Sequence, residues 1–166
     1  SILYLRTAVE SASSKLGYLP GSESDKMSPY RQVLDGCIDE MVEEKDQKDL
    51  LNSPVLEAAP INYIRGASWR EKYVILDEAQ NCTIDELKTA MTRITGEDTK
   101  LIICGDTQQS DIKKSGLKNL ANLFDNEESN EMGIRFFKLT EEDIVRSEIV
   151  KFVVKKFQDH EMKPQS

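Results

Sequence analysis

The sequence has little of what several kinds of function need. Its one histidine, His160, lies near the C-terminal end, which excludes His-based catalysis and His-rich metal sites. The three cysteines, Cys37, Cys82 and Cys104, are odd in number, far apart and without metal-ligand spacing. They read as reduced thiols of a cytoplasmic protein, not as a disulfide frame or a zinc site. With one tryptophan and 7% aromatic residues, the chain has no aromatic cluster of the kind that stacks bases. No apolar run approaches the ~20 residues of a membrane helix. No basic-then-apolar leader stands at Ser1. None of the eight glycines begins G-x-x-x-x-G-K-[ST], the loop whose backbone N–H groups cradle phosphates. Lys113-Lys114-Ser115-Gly116 has those residues in the wrong order.

What is present fits one soluble domain. The 166 residues are 39% apolar and 31% charged, enough for a single core. A net charge of −8 argues against a broad surface that tracks nucleic-acid phosphates. Contact with nucleic acid would need a local basic patch or a ring of subunits.

The central stretch is Tyr73-Val74-Ile75-Leu76-Asp77-Glu78-Ala79-Gln80-Asn81. An apolar run without alternation leads straight into two carboxylates, the pattern of a parallel strand buried on both faces. The acids then emerge at the C-terminal edge of the sheet, where open α/β sheets bind ligands. An acid there can hold Mg²⁺ on the β- and γ-phosphates of a nucleotide, and a neighbouring Glu can orient or deprotonate water. The same residues also describe acids that merely open a turn.

A second junction follows. Leu101-Ile102-Ile103-Cys104-Gly105-Asp106-Thr107-Gln108-Gln109 is a short apolar run ending in glycine, an acid and amides. Gly105 permits a sharp turn beside a ligand. Gln109 or Gln108 suits contact with a γ-phosphate or with the attacking water. Asp77 and Gly105 are 28 residues apart with a helix-like segment between them, the rhythm of a βαβ unit.

VILDEAQN and GDTQQSD, with KLGYLPG before and LTEEDIVRSEIV after, resemble the PhoH-like proteins over about Leu3 to Phe157. The resemblance implies a three-layer α/β RecA-like P-loop NTPase domain with a mostly parallel sheet, akin to superfamily 1 helicase motors. It also implies ATP hydrolysis with Mg²⁺, assembly into homo-oligomeric rings, and action on RNA or another nucleic acid. By this resemblance Asp77 positions Mg²⁺, Glu78 the water, and Gln109, with Asp106, senses the γ-phosphate. Arg146 neutralises developing charge as a finger or sensor; the plainer alternative pairs it with Glu141, Glu142 or Asp143. Arg65, in the turn Ile64-Arg65-Gly66, falls near the nucleotide or the next subunit, and Arg6, at the ligand-facing end of the first strand, falls near the nucleotide.

Two departures stand out. Thr7 occupies a place where the family commonly has proline. The phosphate loop is missing, so the chain is expected to enter the fold at its second strand, after the first βα unit of roughly 30 residues. It is then either a fragment or a paralogue without a phosphate cradle, and by itself it should bind ATP poorly. A gap in the sheet or an exposed apolar groove should mark the place. The domain is expected over residues 1–159, with a frayed tail at 160–166. A non-catalytic RecA-like assembly module is the alternative function.

The remaining elements are read from pattern. Strands are expected at Ile2–Leu5, Val55–Ala59 and Ile134–Leu139, and helical spacing at Thr7–Leu16. Gly17 to Gly21 forms a turn. Ser28 caps a helix with Pro29 first, and its core stripe is Val33, Leu34, Cys37, Ile38, Met41 and Val42. Thr83-x-x-Glu86 is a capping box for a helix that ends near Gly96 and carries Ile94 on its apolar face. Ser115 caps a helix from Gly116 to Phe124, residues 125–130 form an acidic loop, and Ile144 to Ser147 opens the final helix. Trp69 reads as packing, and Lys113 and Lys114 as solvated charges.

Overall fold

In the computed structural model, residues 8–22, 65, 108–111, 113, 141–142, 144–146 and 162–166 lie outside the described residues. The expected helix at Thr7–Leu16 and the glycine-proline turn after it therefore fall outside the description. The described chain forms two compact units, Ser1–Phe124 and Asp125–Ser166.

The first unit is built on β1 (Ile2–Arg6), β2 (Leu56–Pro60), β3 (Tyr73–Asp77) and β4 (Lys100–Ile103). Their order is β2-β1-β3-β4, every pair parallel, with Arg6 opposite both Pro60 and Asp77 and Leu76 opposite Ile103. Successive residues alternate between the faces. On one face Leu3, Leu5, Val74 and Leu76 pack with Ile61, Trp69, Cys82, Leu87 and Leu117. On the other, Tyr4 packs with Leu34, Ile38 and Leu56, and Ile2 and Ile75 join them. Burial of Leu5, Val74 and Leu76 is complete, and each such side chain contributes about 1.5–3 kcal/mol. Helices on both faces of a parallel sheet make the three-layer α/β architecture expected.

Helix α1 (Glu23–Met41) and α2 (Glu44–Leu51) cover the Tyr4 face. The first begins before Ser28 and holds Pro29 inside, so Ser28 is not its cap. Leu34 and Ile38 are buried, but Cys37 and Met41 are exposed and fall off the expected stripe. Arg31 ties the layer together: it pairs with Asp35 at 2.6 Å and donates to the carbonyls of Leu56, at 2.8 Å, and Leu51. Short 3-10 turns at Ile61–Ile64 and Ala79–Asn81, with α3 (Ile84–Met91) and α4 (Leu117–Phe124), serve the opposite face.

The Thr83–Glu86 capping box is present in both directions, at 3.3 Å and 2.8 Å. Helix α3 ends sooner than its apolar spacing suggests, with Thr92 as its C-cap. Ile94 instead forms a parallel bridge with Trp69, whose N–H donates to Arg93 and whose carbonyl accepts from Thr95. Trp69 is 2% exposed, a packing residue as expected. Ser115 accepts the N–H of Leu117 at 3.4 Å at the start of α4.

No strand among the described residues pairs with the outer edge of β4, and Ile102 there is 45% exposed. The four described strands pair without a gap between them, and an unpaired edge is ordinary for an open sheet.

In the second unit, residues 127–130 of the expected loop are helical. Asn126 accepts the N–H of Ser129 at 2.9 Å and starts α5 (Glu127–Glu131). Acids in its first turn suit the positive helix end. Residues 134–140 are not a strand either, and Phe137 is 84% exposed. A strand exists through its ladder, and the four-stranded sheet includes none of these residues. The backbone N–H and hydroxyl of Thr140 both donate to Asp143 and hold its carboxyl below the usual range. The last helix, α6, runs Glu148–Glu161, with the Ser147 carbonyl accepting the N–H groups of Val150 and Lys151; residues 144–146 of the stretch expected to open it lie outside the described residues.

Candidate functional site

The site begins with a forced turn. After β3 the chain enters the left-handed region at Glu78, φ 54° and ψ 36°, which costs a non-glycine residue about 1–2 kcal/mol. The turn lets Ala79 N–H donate to the Cys104 carbonyl at 2.9 Å, while Cys104 N–H donates to the Leu76 carbonyl at 2.8 Å. The ends of β3 and β4 are thereby stitched together, and the two acids sit at the C-terminal edge.

Each carboxylate oxygen there has a partner. Asp77 Oδ1 accepts the N–H of Glu78 at 2.9 Å, and Oδ2 accepts the hydroxyl of Tyr4 at 2.5 Å. Glu78 Oε1 pairs with Arg6 Nη2 at 3.2 Å, and Oε2 accepts the side-chain amide of Gln80 at 2.6 Å. Thr7 lies close by, its hydroxyl 3.5 Å from the Glu78 carbonyl. The parallel register makes this possible, because Arg6 stands directly opposite Asp77.

Gln80 links the two junctions. It is 3% exposed, and its Oε1 accepts the N–H of Asp106 at 3.1 Å. A Cβ on Gly105 would come within 2.7 Å of that oxygen, 2.8 Å of Leu117 Cδ2 and 2.9 Å of the Gln80 backbone nitrogen. The glycine is needed because a buried amide fills the space where a side chain would go.

Burial, then the bond to Asp77 and its charge, raises the Tyr4 phenol well above its ordinary range. Burial and the Asp77 charge also raise the Cys104 thiol. Among the described residues no group of three His, Cys, Asp or Glu could cage a metal. Mg²⁺ does not require such a cage: one or two carboxylates, with waters and substrate phosphates, ordinarily hold it. The Asp77 carboxylate is a hard oxygen donor, and each oxygen accepts one bond of those described, leaving lone-pair capacity. These residues fit a hard divalent cation. For the nucleotide, they fit the metal and water side; the sequence contains no Walker-type phosphate cradle.

Of the residues singled out from sequence, Arg6, Asp77 and Glu78 are brought together, and Asp106 joins them through Gln80. Arg65, Gln108, Gln109 and Arg146 lie outside the described residues. Two members of the cluster were not anticipated. Gln80 stood inside the motif without a role. Tyr4 gave one faint signal, a phenol in an otherwise apolar strand.

A parallel sheet with paired acids at the C-terminal edge of an inner strand defines an α/β domain with a ligand-binding sheet edge. The profile of the PhoH-like protein family matches residues 1–158. A PhoH-like protein of Synechocystis sp. is 35% identical over 163 residues, covering 96% of this chain and 48% of its own length. One from Bacillus subtilis is 34% identical over 161 residues, 94% of this chain and 48% of its own length. Protein PhoH of Escherichia coli is 32% identical over 138 residues, 82% of this chain and 38% of its own length. The chain belongs to the PhoH-like family. It spans about half the length of the curated relatives it matches. No helix among the described residues is long and apolar enough to cross a membrane.

Proposed function

We propose that this chain supplies the metal- and water-handling part of an ATP hydrolase site, coupled to work on RNA or another nucleic acid. Asp77 holds Mg²⁺, and Glu78 orients and deprotonates the attacking water. Gln109, with Asp106, reads the γ-phosphate. Arg146 offsets charge on the transferring group, and Arg6 and Arg65 line the nucleotide side. When bound, Mg²⁺ would neutralise charge on the β- and γ-phosphate oxygens. The phosphate cradle this chemistry needs is contributed from outside these 166 residues. On this reading the protein works in the cytoplasm as a homo-oligomeric ring.

The observation that carries the reading is the fixed pair at the end of β3. Asp77 and Glu78 are held by separate partners, Tyr4 and the Glu78 N–H for the first, Arg6 and Gln80 for the second. Phosphoryl transfer depends mainly on positioning and electrostatics, so carboxylates held in place suit it.

Calorimetry with ATP and Mg²⁺ on the full-length protein tests this. Glu78→Gln should retain binding and lose turnover by about 10²–10⁴-fold, the usual range for a general base. If neither protein binds ATP, the chain is better read as an assembly module of the same fold.

A further inference from the structure

We propose that Tyr4 is a positioning residue for the divalent cation at Asp77, an inference that rests on the reading of Asp77 as the metal-holding acid. Tyr4 is 5% exposed and packed with Leu34, Ile38 and Leu56. A phenol in such surroundings needs a partner for its hydroxyl. It has one in Asp77 Oδ2, at 2.5 Å. The reach follows from the ladder: Tyr4 stands opposite Ile75, and Arg6 opposite Asp77. Residues two apart share a face, so Tyr4 and Asp77 project from the same side of the sheet.

The opposite oxygen, Oδ1, is held by the Glu78 N–H at 2.9 Å. With one donor on each oxygen, the carboxylate cannot turn about its last torsion without breaking a bond. Each oxygen keeps lone-pair capacity for a cation. Partners of this kind set the direction in which a carboxylate presents itself to metal, and their loss commonly weakens metal binding 10–100-fold. The Tyr4 hydroxyl does not touch the cation. Its work is to stop Asp77 from rotating away from the sheet edge.

The test uses the full-length protein and Mn²⁺ alone as the probe, with binding followed by electron paramagnetic resonance. Tyr4→Phe keeps the ring and removes the hydroxyl. It should weaken Mn²⁺ binding roughly tenfold, with the melting temperature near that of the parent. Half-saturating Mg²⁺ in ATP turnover should rise by the same factor, and activity lost at low Mg²⁺ should return as Mg²⁺ is raised. Unchanged Mn²⁺ affinity in Tyr4→Phe, alongside loss in Asp77→Asn, overturns the role of Tyr4 and leaves the metal site intact. Unchanged affinity in Asp77→Asn overturns the metal reading and this inference with it. Should Tyr4→Phe fail to fold, fluorotyrosine placed at position 4 gives a second readout. Its ¹⁹F resonance should move on Mg²⁺ titration in the parent and not in Asp77→Asn; no movement in the parent overturns the proposal.

Discussion

Gly105 leaves room for the buried amide of Gln80: a Cβ at position 105 would sit 2.7 Å from Gln80 Oε1. The amide cannot simply swing aside, because it bridges Glu78 and the Asp106 N–H. Gly105→Ala should therefore destabilise by about 1–3 kcal/mol, the usual cost of overpacking. Urea unfolding measures it, and the midpoint should fall.

Glu78 carries a backbone cost that its side chain does not explain. Ala and Gly variants both lose the contacts to Arg6 and Gln80, but only alanine pays for φ 54°. Glu78→Gly should be more stable than Glu78→Ala by about 1 kcal/mol. Equal unfolding midpoints would contradict this account of the turn.

The capping box at Thr83 sets the start of α3, whose Leu87 and Ala90 are fully buried. Thr83→Ala should cost about 1 kcal/mol. Amide exchange should quicken first at Glu86, whose N–H the Thr83 hydroxyl oxygen accepts.

The thiols should separate by environment. Cys37 is exposed and should react first with a disulfide reagent near pH 8. Cys104 is also exposed, but partial burial and the Asp77 charge raise its thiol, so its labelling should be slower and quicken as pH rises. Cys82 is buried and should label only on unfolding. Burial, with a smaller push from Glu86, raises the Cys82 thiol from 9.0 to about 12. The unfolded chain therefore releases this proton at lower pH than the folded one. The Cys82 contribution to stability is complete below about pH 9 and is lost as pH rises toward 12. Cys82→Ala should flatten that part of the stability curve.

Much of the first unit was legible because its signals are local. Strand β3 and its two acids follow from an apolar run that ends in charge. The capping box follows from residues three apart, and the βαβ spacing from the distance between two such runs. The departures are a strand that needs a distant partner and two helix starts whose local signals were weak. Residues 134–140 are rich in strand formers, yet no ladder holds them. The start of α1 moved past Pro29 to Glu23, and Asn126 nucleated a short helix in an acidic segment that composition reads as loop.

The chain by itself determined which chemistry is possible. It sets carboxylates, amides and arginines at strand ends, no histidine among them, and an apolar rhythm that calls for a parallel sheet. Only the tertiary structure decided which groups meet. Tyr4 and Asp77 are 73 residues apart, as Arg6 and Glu78 are 72 apart, and each pair is joined because β1 lies beside β3 in one register. A shift of one residue would turn Tyr4 to the opposite face, and no local pattern in either strand specifies that pairing.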